Sequence, residues 1–238
     1  MAELLWLHPD DPPDAFPPAE YAAIEPNGLL AIGGDLSPER LLAAYRAGIF
    51  PWYDAEQPIL WWSPDPRAVL LPGDLHVSRS LRRCLRRNRY TISTDQAFAA
   101  VIGECADRRA DTGTWITPEL RAAFLELHEM GHAHSVESWD GDQLAGGIYG
   151  LNIGRVFFGE SMFSAGRDAS KVALVGLTVR CRELGVSMLD CQVPSPHLHS
   201  LGVRDMPRSR FLSLLRDLVS APDAGPWAQG RRCSDTLL

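Results

Sequence analysis

The 238 residues, 45% apolar and 22% charged, suffice for one large domain or for a small domain fused to a larger one. No apolar run approaches the roughly 20 residues that cross a bilayer, and the Met1–Trp6 opening has neither a basic region nor a cleavage site, so a cytoplasmic protein is expected. A net charge of −7 excludes an overall electrostatic pull toward nucleic acid and leaves only local basic clusters to interpret.

The first 65 residues are rich in proline and aromatics. Ser37–Tyr45 predicts a short helix, with Ser37 as N-cap, Pro38 at the first helical position and Gly48 at the exit. Phe50-Pro51-Trp52-Tyr53 and a strand over Ile59–Trp62 follow. The two prolines of Ser63-Pro64-Asp65-Pro66 forbid regular structure, which predicts a junction there between a small unit, 1–65, and a larger one, 66–238.

Beyond the junction, strand and helix patterns alternate. Arg67–Leu71 predicts a strand, Ser78–Asn88 a helix, Tyr90–Ser93 a strand, and Thr94–Asp107 a helix capped by Thr94 or Asp95. Thr117–Met130 predicts a helix with Thr117 as cap, Pro118 at its first position and Gly131 at its end. His134–Trp139 and Gln143–Leu151 form a hairpin around Gly141, and Arg155–Gly159 is a further strand. Ala169–Leu184 is a long helix capped by Asp168 and ended by Gly185. The Ser187–Val193 strand and the Arg208–Ser220 helix complete a three-layer α+β or α/β pattern, ahead of a Pro/Gly-rich tail.

The five cysteines are scattered and form no C-x-x-C pair, which supports free thiols rather than a zinc or redox site. His128 and His132 have an i, i+4 spacing that zinc can use. The helix stops at Gly131 and no third ligand is evident even with His134 nearby, so these are expected to be structural and no metal is expected. His197 and His199 lie in a Pro-flanked loop.

Three features carry chemistry. Residues 78–89 place Arg79, Arg83, Arg86 and Arg87 on one helical face, with Arg82 beside it and Leu81 and Leu85 on another. Six arginines between Arg79 and Arg89 repel one another, so either a phosphate-bearing partner or carboxylates from elsewhere in the fold must offset them. Glu160 follows the apolar Val156-Phe157-Phe158 run and is either solvated on a strand edge or buried and functional. The 187–193 strand places Asp190 and Gln192 on one face by its period of two, as a structural hydrogen-bonded pair or as a pair preorganised toward a reacting nitrogen. Lys171, the single lysine, sits in a first helical turn against the dipole, which suggests a local role.

These segments resemble the leucyl/phenylalanyl-tRNA–protein transferases. The resemblance is carried by Gly33-Gly34-Asp35-Leu36-Ser37, Gly48-Ile49-Phe50-Pro51-Trp52, Trp61-Trp62-Ser63-Pro64-Asp65-Pro66-Arg67, Gly113-Thr114-Trp115-Ile116-Thr117, Gly159-Glu160-Ser161-Met162-Phe163-Ser164, Ala169-Ser170-Lys171 and Asp190-Cys191-Gln192. It implies a small N-terminal domain followed by a domain of acyl-CoA N-acyltransferase-like (GNAT) fold. It also implies a bacterial cytosolic enzyme that transfers Leu or Phe from aminoacyl-tRNA to proteins bearing N-terminal Arg or Lys, marking them for degradation. By resemblance, Trp52 and Trp115 contact the terminal adenosine of the tRNA. Phe157, Met162, Leu174, Leu189, Ile148, Leu177 and Cys181 wall the aminoacyl pocket. At Ile148, Leu177 and Cys181 the family carries larger or more flexible apolar residues. Arg79, Arg83, Arg86 and Arg87 match the basic patch that grips the tRNA body.

The implied donor is an activated ester, and a peptide α-amine with a pKa of about 7.7–8.0 is partly unprotonated near neutrality. Positioning can therefore supply most of the acceleration. Gln192 is expected to accept a hydrogen bond from the attacking amine and Asp190 to orient Gln192. Glu160 is expected to bind the cationic acceptor end or to hold the aminoacyl group. A coenzyme A-dependent acetyltransferase is the competing enzyme class, but Asp168 stands where a pyrophosphate turn needs bare backbone, and no cofactor is expected. A non-catalytic tRNA- or peptide-binding module is a further alternative, and it leaves Asp190 and Gln192 without a task.

Overall fold

A computed structural model of the protein describes residues 4–108, 114–223 and 225–238. Met1–Glu3 of the opening segment and Gly113 of the Gly113–Thr117 motif lie outside the described residues. Strands β1 (Leu5–Leu7) and β2 (Leu29–Gly33) are parallel neighbours. Helix α1 (Pro38–Arg46) begins as expected, with the Ser37 hydroxyl accepting from the Arg40 amide. Strands β3 (Phe50–Pro51) and β4 (Leu60–Trp62) complete a four-stranded sheet of order β1-β2-β4-β3. The proline-rich segment before β2 is held by one buried cation. The Arg40 guanidinium donates to the carbonyls of His8, Pro9, Asp11 and Pro12 as well as to Asp35.

The second sheet gathers β5 (Arg67–Leu70), β6 (Thr91–Thr94), β7 (Ala133–Asp140), β8 (Gln143–Ile153), β9 (Val156–Ser164), β10 (Met188–Gln192), β11 (Arg204–Met206) and β12 (Gln229–Cys233). Its order is β11-β5-β10-β9-β8-β7-β6-β12, antiparallel throughout except for the β9–β10 pair. Between them run α2 (Arg79–Arg86), α3 (Phe98–Asp107), α4 (Pro118–Glu129), α5 (Ala169–Leu184), α6 (Pro196–Ser200) and α7 (Arg208–Val219). Thr117 caps α4 through the Leu120 amide, and α5 ends at Gly185 in the left-handed conformation, where glycine carries no Cβ penalty.

Helices lie on both faces of this mixed α/β sheet, and each face has its own core. One core joins Phe98, Phe124, Tyr149, Phe158 and Phe211 to Leu41, Tyr45 and Trp61 of the first 65 residues. The other packs Leu81 and Leu85 of α2 with Val172, Val175 and Leu177 of α5 against Ile92, Val136 and Phe157. Gly48 permits the close approach of α7 to the end of α1. A Cβ there would stand 2.6 Å from Leu212 and 3.1 Å from Phe211. Among the described residues no helix is long and apolar enough to cross a membrane.

Several local expectations need correction. Thr94 ends β6 instead of capping α3, which starts only at Phe98 with no side-chain cap. Asp95 is engaged elsewhere: its two oxygens accept from the Ser135 amide and pair with the His134 ring, each at 2.8 Å. Asp168 adopts a left-handed conformation and caps nothing; its carboxylate takes the Lys171 ammonium at 3.1 Å, which is the lysine's local role. The sequence reading also missed β1, β2, β11, α6 and β12, the last of which turns the tail into an edge strand on β6. His128 stacks on Phe98 at 4.2 Å and bonds the Ala133 carbonyl, while His134 stacks on Trp227.

Candidate active site

The site lies where two parallel strands part. β9 and β10 pair only over Val156–Phe158 and Met188–Asp190. Immediately beyond, each strand slips register against its other neighbour. β9 shifts opposite Tyr149 and Gly150, leaving Glu160 as an additional residue, and β10 shifts between Asp190 and Gln192, leaving Cys191. Such bulges bend a strand and re-aim its side chains. Gly150 makes the first shift possible, because a Cβ there would fall 2.0 Å from the Phe158 carbonyl oxygen. The diverging strands open a cavity of about 380 Å³ whose floor carries Glu160, Asp190 and Gln192.

The two carboxylates on that floor have different surroundings. Asp190 is fully buried and is gripped by Arg67, which is also fully buried. Arg67 Nε donates to Oδ1 at 2.8 Å and its terminal NH2 to Oδ2 at 2.6 Å. The guanidinium lies 4.7 Å from each of the Phe50 and Phe211 rings and bonds the Gly48 carbonyl. Such a two-point, charge-assisted pair fixes both geometry and charge. Glu160 has no cationic partner in bonding distance. Its Oε1 accepts from the Tyr45 hydroxyl and from Gln192 Nε2, both at 2.7 Å. Burial pushes its pKa up to about 7. The Tyr45 and Gln192 bonds and the Arg67 charge oppose that rise, and the Asp190 charge adds to it. Burial, then Glu160, drive the Tyr45 phenol well above its ordinary range, so it stays a donor.

The expected side-by-side pairing of Asp190 with the Gln192 side chain is therefore not what forms. The bulge breaks the period of two, and Gln192 takes a left-handed backbone, φ 62°. Asp190 Oδ1 accepts the main-chain N–H of Gln192 at 2.9 Å, while the side-chain amide crosses the gap to Glu160. Asp190 supports the backbone of Gln192, and Glu160 orients its amide.

Trp52 and Trp115 line the cavity with rings at 87° and 6.5 Å apart, and Trp62 braces Trp52 by donating to its carbonyl. Of the expected aminoacyl-pocket residues, Ile148, Met162, Leu174, Leu177 and Leu189 line the cavity. Phe157 and Cys181 do not; they are fully buried in the core behind it, Phe157 against Trp227. The sequence reading missed Phe50, Leu70, Leu198 and Val203 on the apolar wall, Ser195 at the N-cap of α6, and His197 on α6. It also missed Arg67 and Tyr45, which reach the site from strands and helices far away in the chain. Cys191 faces the cavity with its thiol pushed up to about 12 by burial and by Asp190, which suppresses the reactive thiolate.

Helix α2 is capped by the Ser78 hydroxyl at the Leu81 amide. Leu81 and Leu85 turn inward, and Arg79, Arg82, Arg83, Arg86 and Arg87 are exposed, without an ion pair among the described residues. Arg89 differs, since Asp140 holds it at 2.6 Å. Among the described residues no carboxylate offsets the exposed row. The helix packs on α5, which also supplies Leu174 and Leu177 to the cavity.

A family model described as leucyl/phenylalanyl-tRNA protein transferase matches residues 69–216, and a model of that family's N-terminal domain matches residues 34–65. A leucyl/phenylalanyl-tRNA–protein transferase of Stutzerimonas stutzeri is 56% identical over 225 residues, covering 94% of this chain and 99% of the relative. That of Aromatoleum aromaticum is 57% identical over 215 residues, 90% of this chain and 91% of the relative. That of Nitrosomonas europaea is 56% identical over 217 residues, 91% of each. The chain belongs to the leucyl/phenylalanyl-tRNA–protein transferase family.

Proposed function

We propose that the protein transfers a leucyl or phenylalanyl residue from its tRNA to the α-amine of proteins that begin with Arg or Lys, marking them for N-degron degradation in the cytoplasm. One observation carries the reading: a mostly apolar cavity has a pair of tryptophans among its lining residues and a fixed amide on its floor. Trp52 and Trp115 stack on the terminal adenosine, each worth about 1–3 kcal/mol. Ile148, Met162, Leu174, Leu177 and Leu189 hold the esterified side chain, with Phe157 and Cys181 shaping the pocket from behind. Arg79, Arg83, Arg86 and Arg87 bind tRNA phosphates. We also propose a division near residue 65 into a small N-terminal domain and a GNAT-like larger one. The mixed sheet with one parallel pair and helices on both faces supports that arrangement, and the two family models meet between residues 65 and 69.

The chemistry is aminolysis of an ester that is already activated, so alignment is the main demand. A carboxylate only accepts hydrogen bonds, so Glu160 forces the Gln192 amide to present its N–H side to it. That leaves the Gln192 carbonyl oxygen to accept an N–H of the incoming amine. Asp190, neutralised by Arg67, holds the Gln192 backbone in its left-handed turn. Glu160 supplies negative charge at the acceptor end, where the α-amine arrives.

The test is transfer from charged tRNA to an Arg-starting peptide, with and without coenzyme A. Gln192→Ala and Asp190→Ala should lower kcat far more than they raise the Kd for charged tRNA. Equal losses in both would make these residues a binding surface, and dependence on coenzyme A would replace the reading with an acetyltransferase.

A further inference from the structure

We propose that Glu160, and not Asp190, takes the proton that the acceptor amine gives up during transfer, and that Tyr45 is the positioning residue that holds Glu160 for it. The proposal rests on the aminoacyl-transfer reading and identifies the group that completes it.

The assignment follows from which carboxylate oxygens are open. Asp190 Oδ1 already accepts from Arg67 Nε and the Gln192 amide, and Oδ2 from the Arg67 NH2 group, with the whole side chain fully buried. An amine in the cavity has no free face of that carboxylate to reach. Glu160 is partly exposed and lines the cavity. Both of its hydrogen bonds end on Oε1, and no described residue donates to Oε2. Oε2 is thus the open carboxylate oxygen beside the Gln192 amide, and one amine can meet both groups: the neutral amide orients it and the carboxylate takes its proton.

The step balances within the substrates and this side chain. The α-ammonium first loses one proton to solvent. The amine lone pair then forms the C–N bond at the ester carbon, and the bond from that carbon to the ribose oxygen breaks. The second proton passes from nitrogen to Glu160, and Glu160 returns it to the departing ribose oxygen. Burial places Glu160 close to neutrality, where a general base works best. The groups that bear on its titration are Tyr45 from α1, Gln192 and Asp190 from β10 and Arg67 from β5, while Cys191 from β10 and His197 from α6 also line the cavity. Tyr45 donates to the ionised form and so lowers the proton affinity of Glu160.

The experiment compares pH profiles of kcat and kcat/KM for the wild type, Tyr45→Phe and Glu160→Gln, with charged tRNA and an Arg-starting peptide. Wild-type activity should rise with pH through the Glu160 titration. Tyr45→Phe should move that rise upward by about one pH unit, with the high-pH plateau and the KM for charged tRNA kept. Glu160→Gln should lose about 100-fold in kcat while charged tRNA binds as before. The acceptor amine titrates too, but its midpoint does not depend on Tyr45. An unmoved profile in Tyr45→Phe, or a kcat within a few fold of wild type in Glu160→Gln, would overturn the proposal. A wild-type protein that transfers to no peptide would instead sink the aminoacyl-transfer reading beneath it.

Discussion

Arg67 and Asp190, 123 positions apart in sequence, meet through two hydrogen bonds of 2.8 and 2.6 Å with both side chains fully buried. Arg67 opens the first strand after the Ser63–Pro66 segment, while Asp190 sits where β10 bends into the cavity. The pair ties β10 to Gly48 and Phe50 of the first 65 residues and to Phe211 of α7. Removing one partner of a buried ion pair strands the other. Arg67→Met should therefore destabilise the fold by about 3–5 kcal/mol. Arg67→Met with Asp190→Leu should cost clearly less than the sum of the two single changes, because the double variant leaves no buried charge unpaired. Urea unfolding of the three variants measures this, and additive losses would show that the pair is not coupled.

The tryptophans make a separate prediction. If Trp52 and Trp115 stack on the terminal base, Trp52→Ala and Trp115→Ala should each weaken charged-tRNA binding by about 1–3 kcal/mol. The loss should vanish for tRNA that lacks its last nucleotide, which binds both variants and the wild type alike. Titrations with intact and truncated tRNA separate this from a general loss of folding.

If the exposed arginine row binds tRNA phosphates, its contribution comes through counterion release. Arg83→Ala together with Arg86→Ala should reduce the slope of log K against log salt by roughly two, about one for each phosphate that is no longer neutralised. Arg89→Ala should change it less, since Asp140 already occupies that guanidinium. Binding of uncharged tRNA across a salt series gives both slopes, and an unchanged slope in the double variant would remove α2 from the interface.

Much of this architecture is legible in local sequence. Ser37-Pro38 and Thr117-Pro118 start helices because a hydroxyl and a proline satisfy the first turn, and Gly185 ends one because it accepts a positive φ. The floor of the cavity is less legible. A period of two predicts where Gln192 points only while the ladder is regular, and two bulges break it. Tyr45 and Arg67 act across 115 and 123 positions, separations that no local pattern encodes. A faint signal existed for Arg67, the single charge in the buried Arg67-Ala68-Val69-Leu70 strand. An unpaired cation in such a strand demands a buried carboxylate.

Glu160 makes a prediction that needs no substrate. Its pKa rises on folding from an ordinary 4.5 to about 7, so the native state binds a proton more tightly than the unfolded chain. A raised folded-state pKa means stability that is fully present below the unfolded value and is lost as pH climbs through the folded one. Wild-type stability should thus fall between about pH 4.5 and 7. The Glu160 contribution is at most roughly 3 kcal/mol, at 1.36 kcal/mol per pH unit. Glu160→Gln keeps an acceptor for Tyr45 and carries no charge, so it should remove that slope and be more stable than the wild type above pH 7. Unfolding free energies of both proteins from pH 4.5 to 8.5 decide it. Parallel curves would mean that Glu160 titrates alike in the folded and unfolded chains, and that the cavity floor does not hold its carboxyl away from water.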